Sequence, residues 1–151
     1  MEERITGIQL FEVHASCSFH YRKEVMENCR YGLLKLTANG VSGWGECIMA
    51  MDDTHFDILK WSKFLYRLKN LTLLEALNTV KLNRGVWGTV KAELVEMAVL
   101  DIIVNSQRMP LTDPLLKANR ETAVSGEFAG AIFQPDIPTL MEACSAYFVV
   151  L

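Results

Sequence analysis

No stretch of this sequence approaches the ~18 consecutive apolar residues of a bilayer-spanning helix. Its start, Met1-Glu2-Glu3-Arg4, lacks the basic region and apolar run of a secretory signal. A membrane partner is excluded on that reading, and a cytoplasmic protein is expected. Positive charge is also short: 15 Lys plus Arg stand against 18 Asp plus Glu, so nothing favours nucleic acid as a partner. Cysteine is sparse. Cys17, Cys29, Cys47 and Cys144 lie at wide spacing with no C-x-x-C, which in a chain without a signal points to reduced thiols and not to disulfides. His14, Cys17 and His20 fall at three-residue intervals upstream of Cys29, and all are zinc-competent types. Cys29 has no close partner cysteine, so the spacing reads as coincidence and no metal site is expected. Gly43-Trp44-Gly45 lacks the third glycine and following helix of a dinucleotide fingerprint, and its glycines mark a bend or a close backbone approach.

What the chain does have is apolar bulk. Half of its 151 residues are hydrophobic, enough for a domain that buries roughly 70% of its unfolded surface. The longest buried element is expected at residues 90–104, where from Met97 to Val104 the only polar side chain is Asp101. A lone acid in such a helix is read as a hydrogen-bonded structural aspartate, because an unpaired buried charge costs several kcal/mol. Residues before this helix should pack on it, and residues after it should lead away.

Residues 5–13 alternate as a strand with Ile5, Gly7, Gln9, Phe11 and Val13 on one side and Thr6, Ile8, Leu10 and Glu12 on the other. A polar loop is expected at 15–27. Residues 30–37 and 41–46 then flank Asn39-Gly40, the strongest short-range hairpin signal, so the chain opens as a three-stranded meander. Amphipathic helices are predicted at 56–68 and 71–82, with Thr72 as N-cap and a break at Asn83-Arg84-Gly85. Beyond Pro110, a helical turn at 111–116, strand-like material at 122–125 and 131–133, and a helix at 137–146 are expected. The last residues, Tyr147 to Leu151, form a strand-prone edge with no partner in view, which another segment or another chain should cover.

Several anchors in this order carry a resemblance: Ile5-Thr6-Gly7-Ile8, Gly43-Trp44-Gly45-Glu46, Lys91-Ala92 with Glu96-Met97-Ala98-Val99-Leu100-Asp101, Pro110-Leu111 with Leu115-Leu116, and residues 124–132. Together they resemble the N-terminal region of the enolase superfamily, mandelate racemase/muconate lactonizing enzyme branch. The helix and the strand at 124–132 read most like the o-succinylbenzoate synthase and N-acylamino acid racemase subgroup. The sequence departs from that pattern at Lys117-Ala118, where the family has Gly-Gly, and at Leu100, where it has Trp.

The resemblance implies an α+β fold: a three-stranded antiparallel meander plus helical bundle as capping domain (residues 1–110), then a linker and the first strand and helix of an incomplete β/α barrel (111–151). It implies a Mg²⁺-dependent enzyme that removes a proton α to a carboxylate, acting as racemase, cycloisomerase or o-succinylbenzoate synthase. The family's catalytic lysines and carboxylate metal ligands fall beyond Leu151, so no catalytic or metal-binding residue is assigned within this chain and it is expected to be inert alone. Glu46 is read as structural, answering backbone N–H groups of the next loop. Two loops would fold over the barrel mouth and choose a small carboxylate substrate: 15–27 with Phe19, His20 and Tyr21, and 48–55 with Met49, Met51 and Asp53. A homo-oligomer is expected. The other reading is a non-catalytic remnant serving as an assembly or protein-interaction module.

Overall fold

The computed structural model describes residues 3–18, 26–51, 55–106, 144 and 146–150. Strands β1 (Ile5–Ser18), β2 (Met26–Ala38) and β3 (Val41–Met51) form the antiparallel meander. The two-residue link between β2 and β3 holds Asn39 at φ 51° and Gly40 at φ 77°, the left-handed pair of a type I′ turn. Both strands of the first hairpin run longer than sequence pattern suggests, because backbone pairing continues from Val13↔Tyr31 out to Ser18↔Met26 through polar residues that give no alternation signal. Residues 15–18 and 26–27 of the expected loop at 15–27 are therefore strand, and 19–25 lie outside the described residues.

A bulge at Thr6 corrects the face assignment of β1. Ile5 pairs with Ala38 but Gly7 with Thr37, so the extra residue turns Ile5 to the side of Ile8 and Leu10. That side carries the main core, with Leu34 and Leu36 of β2.

The helical layer begins with a single α-turn, α1 (Ile58–Trp61), capped by the Asp57 carboxylate, and continues as a 3₁₀ segment (Ser62–Leu68) in place of the one helix expected over 56–68. The Ser62 hydroxyl donates to the Ile58 carbonyl oxygen, and the tighter winding suits Trp61 and Phe64, three residues apart, which hold the Lys91 ammonium 5.1 Å from each ring centre. Helix α2 (Leu73–Trp87) starts on Thr72 through a full capping box with Glu75. It runs through the expected break at Gly85 and stops at Gly88, φ 89°.

Helix α3 (Thr89–Ser106) buries Ala92, Leu94, Val95, Ala98, Val99, Ile102 and Val104 between α2 and the sheet, as a core helix should. Its approach to β3 is unusually close. A Cβ at Gly43 would collide with the Ala98 carbonyl oxygen and one at Gly45 with that of Leu94, so only glycine admits the α3 backbone here. In that position α3 satisfies the outer edge of β3. The Trp44 N–H donates to Asp101 Oδ2 at 2.9 Å, the Glu46 N–H to Met97 Sδ at 3.3 Å, and Asn105 Nδ2 to the Ser42 carbonyl at 3.0 Å. Every second strand residue meets every fourth helix residue, and the steps match: about 6.6 Å along a strand against about 6 Å along a helix. Asp101 is thus the bonded structural aspartate its setting demands.

One element departs from the expected layout. Strand β4 (Ala146–Val150) does not lead away into a barrel; it returns to the meander and pairs antiparallel with β1, giving a four-stranded sheet in the order β3-β2-β1-β4. The edge expected to lie unpaired is therefore satisfied on one side. Phe148 and Val150 enter the main core, and Tyr66 meets the Phe148 ring edge-on at 5.7 Å. The segments expected at 111–116, 122–125 and 131–133, and most of the helix expected at 137–146, lie outside the described residues.

Candidate functional site

The meander brings two chain segments out at one end of the sheet. Pairing of β1 with β2 ends at Ser18↔Met26, so residues 19–25 leave there, and β3 ends opposite Cys29, so residues 52–54 leave three rungs below. Phe19, His20, Tyr21 and Asp53 lie outside the described residues. Met49 and Met51 belong to β3 and not to a loop, so the expected loop at 48–55 is strand through residue 51. Met51 is exposed, whereas Met49 is buried against Gly32, where a Cβ would stand 2.8 Å from its sulfur.

Beneath this end lies a cluster that no sequence pattern announces. Glu12, buried on the helix-facing side of β1, accepts from Arg30 Nη1 at 3.2 Å, and the guanidinium lies 5.7 Å above the Phe56 ring centre. Phe56 leads on to Trp61, Phe64 and Trp87 at 6.5, 5.4 and 5.1 Å. Burial among these rings lowers the Lys91 ammonium below its usual range. The signal for the pair was an acid on an otherwise apolar strand face, but only the hairpin register shows that Arg30 arrives beside it.

The opposite sheet face carries Phe11 and Leu33, both buried, with Trp44 stacked 6.0 Å from Phe11, Tyr147 at 5.1 Å and Cys144 packed alongside. Lys35 Nζ lies 5.8 Å over Trp44. Glu46 sits on this face, opposite Leu33. Its expected bonds to loop N–H groups are not made: among the described residues nothing donates to its carboxylate, and burial pushes it from 4.5 to about 7. Because the folded group holds its proton where the unfolded one has lost it, the stability it contributes falls as pH rises from about 4.5 to about 7 and stays low above. Urea unfolding at a series of pH values should show that decline, and Glu46→Gln should flatten it.

The cysteines divide. Cys29 is disulfide-bonded, against the expectation of four reduced thiols; the pairing of β1 with β2 sets Cys17 one diagonal step from it, a nearness that spacing along the chain does not reveal. A disulfide sulfur is no thiolate ligand, which removes Cys29 from the His14, Cys17 and His20 set. Cys47 is free, but burial pushes its thiol up to about 12, leaving it protonated and unreactive. Among the described residues no three His, Cys, Asp or Glu side chains converge as cation ligands. What the arrangement supplies is a charged and aromatic cluster of Glu12, Arg30, Phe56, Trp61, Phe64 and Trp87 on the helix-facing side of the sheet.

This meander and helical layer have the fold of the N-terminal capping region of the enolase superfamily. The chain is similar to a solved structure assigned as a mandelate racemase/muconate lactonizing enzyme from Pseudovibrio sp., at TM-score 0.57 and 19% identity over 74% of this chain. It is similar as well to an enolase superfamily member from Roseovarius nubinhibens ISM complexed with magnesium, at TM-score 0.51 and 18% identity over 70% of this chain. The chain spans about a third of the length of each, 32% and 31%. No protein-family model and no curated protein matches the sequence.

Proposed function

We propose that this chain is the capping, substrate-selecting part of a Mg²⁺-dependent enolase-superfamily enzyme that abstracts a proton α to the carboxylate of a small substrate, as a racemase, cycloisomerase or o-succinylbenzoate synthase does. The observation that carries the reading is the shared exit of residues 19–25 and 52–54 at one sheet end, in a fold that covers about a third of two superfamily chains. On this reading Phe19, His20, Tyr21, Met51 and Asp53 meet the substrate, and Met49, from its buried seat, sets the position of Met51. Base, metal ligands and Mg²⁺ come from a barrel part, and the enzyme works in the cytoplasm. Among the described residues no helix is long and apolar enough to cross a membrane.

The return of β4 to the capping sheet favours a second reading, a non-catalytic assembly module. The coding sequence after Leu151 separates the two: a K-x-K followed by spaced Asp and Glu supports the enzyme, and an immediate stop codon the module. The matching assay follows α-proton exchange by NMR with Mg²⁺ and N-acylamino acids in D₂O. The chain alone should show none, since on the enzymatic reading the base and the metal ligands come from a barrel part, terms worth roughly 3–4 kcal/mol each. Enzyme-level exchange by the chain alone would overturn that division of labour.

A further inference from the structure

The link between β2 and β3 places an asparagine amide beside an unhindered glycine nitrogen. Of the seven asparagines in the chain, only Asn39 precedes a glycine. Both residues are exposed, and a Cβ built on Gly40 would meet nothing within 4 Å, so solvent reaches the turn freely. Attack of the Gly40 nitrogen on Asn39 Cγ closes a five-membered ring, and backbone geometry decides whether it can. Closure brings Cβ and the following nitrogen to one side of the Cα–C bond, which for an L-residue sets ψ near about −120°, the value at the first central residue of a type II′ turn. The type I′ turn seen here has that ψ near about +30°, but both turns keep φ near about +60° at this residue. Asn39 stands at φ 51°. Turning the one peptide plane between Asn39 and Gly40 therefore converts the first turn into the second. Both are two-residue hairpin links, and glycine accepts the reversed φ that results. The ring can close with the pairing Ala38↔Val41 intact.

We propose that Asn39 is a site of spontaneous deamidation in the folded chain, through a succinimide that the β2–β3 turn accommodates. The Gly40 amide loses its proton to hydroxide and its nitrogen bonds to Asn39 Cγ; the Cγ–Nδ2 bond breaks, and ammonia leaves with a proton from water. Water then opens the ring. Cleavage at Cγ yields aspartate, and cleavage at the main-chain carbonyl yields isoaspartate, with the backbone rerouted through Cγ. Isoaspartate lengthens the turn by one backbone atom close to Ser42, whose carbonyl accepts from Asn105 at 3.0 Å and ties β3 to the end of α3. Asn70 provides the contrast. It too is exposed with positive φ, 64°, but it precedes Leu71, whose N–H donates to the Leu68 carbonyl at 3.2 Å, so its peptide plane cannot turn without breaking that bond. The proposal uses only the turn and is independent of the enzymatic reading.

The unaltered whole chain should be aged at neutral and mildly alkaline pH, digested and read by mass spectrometry, with synthetic aspartyl and isoaspartyl peptides as standards. Both products should appear at residue 39, faster as pH rises, while Asn70 stays intact. The rate in the folded chain should lie within about a hundredfold of that in guanidinium chloride, whereas closure confined to unfolded molecules would be slowed by the whole folding equilibrium, roughly a thousandfold or more. Asn39 left intact in the folded chain, a rate slowed by that full factor, or conversion at Asn70 as fast as at Asn39 would each overturn the proposal.

Discussion

Gly45→Ala is expected to cost about 3 kcal/mol or more, at the upper end of overpacking penalties, because the new methyl meets backbone and not a yielding side chain. The Leu94 carbonyl can retreat only if α3 moves off the sheet, and that movement would also stretch the bonds from Trp44 to Asp101 and from Glu46 to Met97. At ~2–4 °C per kcal/mol for a chain of this size, the melting temperature should fall by about 10 °C. Gly85→Ala is the contrast. Gly85 lies inside α2 with nothing near its Cβ position, so alanine there should raise stability by about 0.5–1 kcal/mol. Thermal unfolding followed by circular dichroism checks both, and equal effects at the two glycines would contradict the close-approach account of α3.

Glu12→Leu should be nearly as damaging, costing about 3 kcal/mol, since it removes the buried carboxylate that accepts from Arg30 Nη1. If the two act as a pair, the double variant Glu12→Leu with Arg30→Met should lose less than the sum of the single losses, and a double-mutant cycle in urea measures the difference. Additive losses would show that the two side chains act separately.

Legibility in the sequence followed the range of the interactions. The Asn39-Gly40 turn and the Thr72 N-cap are settled within four residues, and both were readable. Helix α3 was readable for another reason: its composition leaves almost no polar face to expose. Strand ends were not, since residues 14–18 and 26–30 are held by ladder bonds that polar side chains do not advertise. The 3₁₀ winding of 62–68 depends on rings and on Lys91 brought in by α3, which no local pattern contains. At the candidate site, the Glu12 and Arg30 pair and the desolvation of Glu46 arise only once strands lie side by side. The return of β4 was least accessible of all. Its run of apolar, strand-prone residues said strand, and nothing in five residues could say which strand it joins.

That return has a kinetic side. The Asn39-Gly40 hairpin closes over two residues, but the contact of Gln9 with Tyr147 spans 138, and the entropy of closing so long a loop must be met before any β4 contact repays it. Non-local pairing of this kind is slow relative to turns and helices. The meander and α3 can form while β4 is still unplaced, since α3 seals the β3 edge without it. During that interval the flank of β1 that β4 will occupy stands open, with Ile8, Leu10 and Phe11 along it. The period of greatest aggregation hazard in this chain therefore falls late in folding, after most of the core exists and before its last strand arrives.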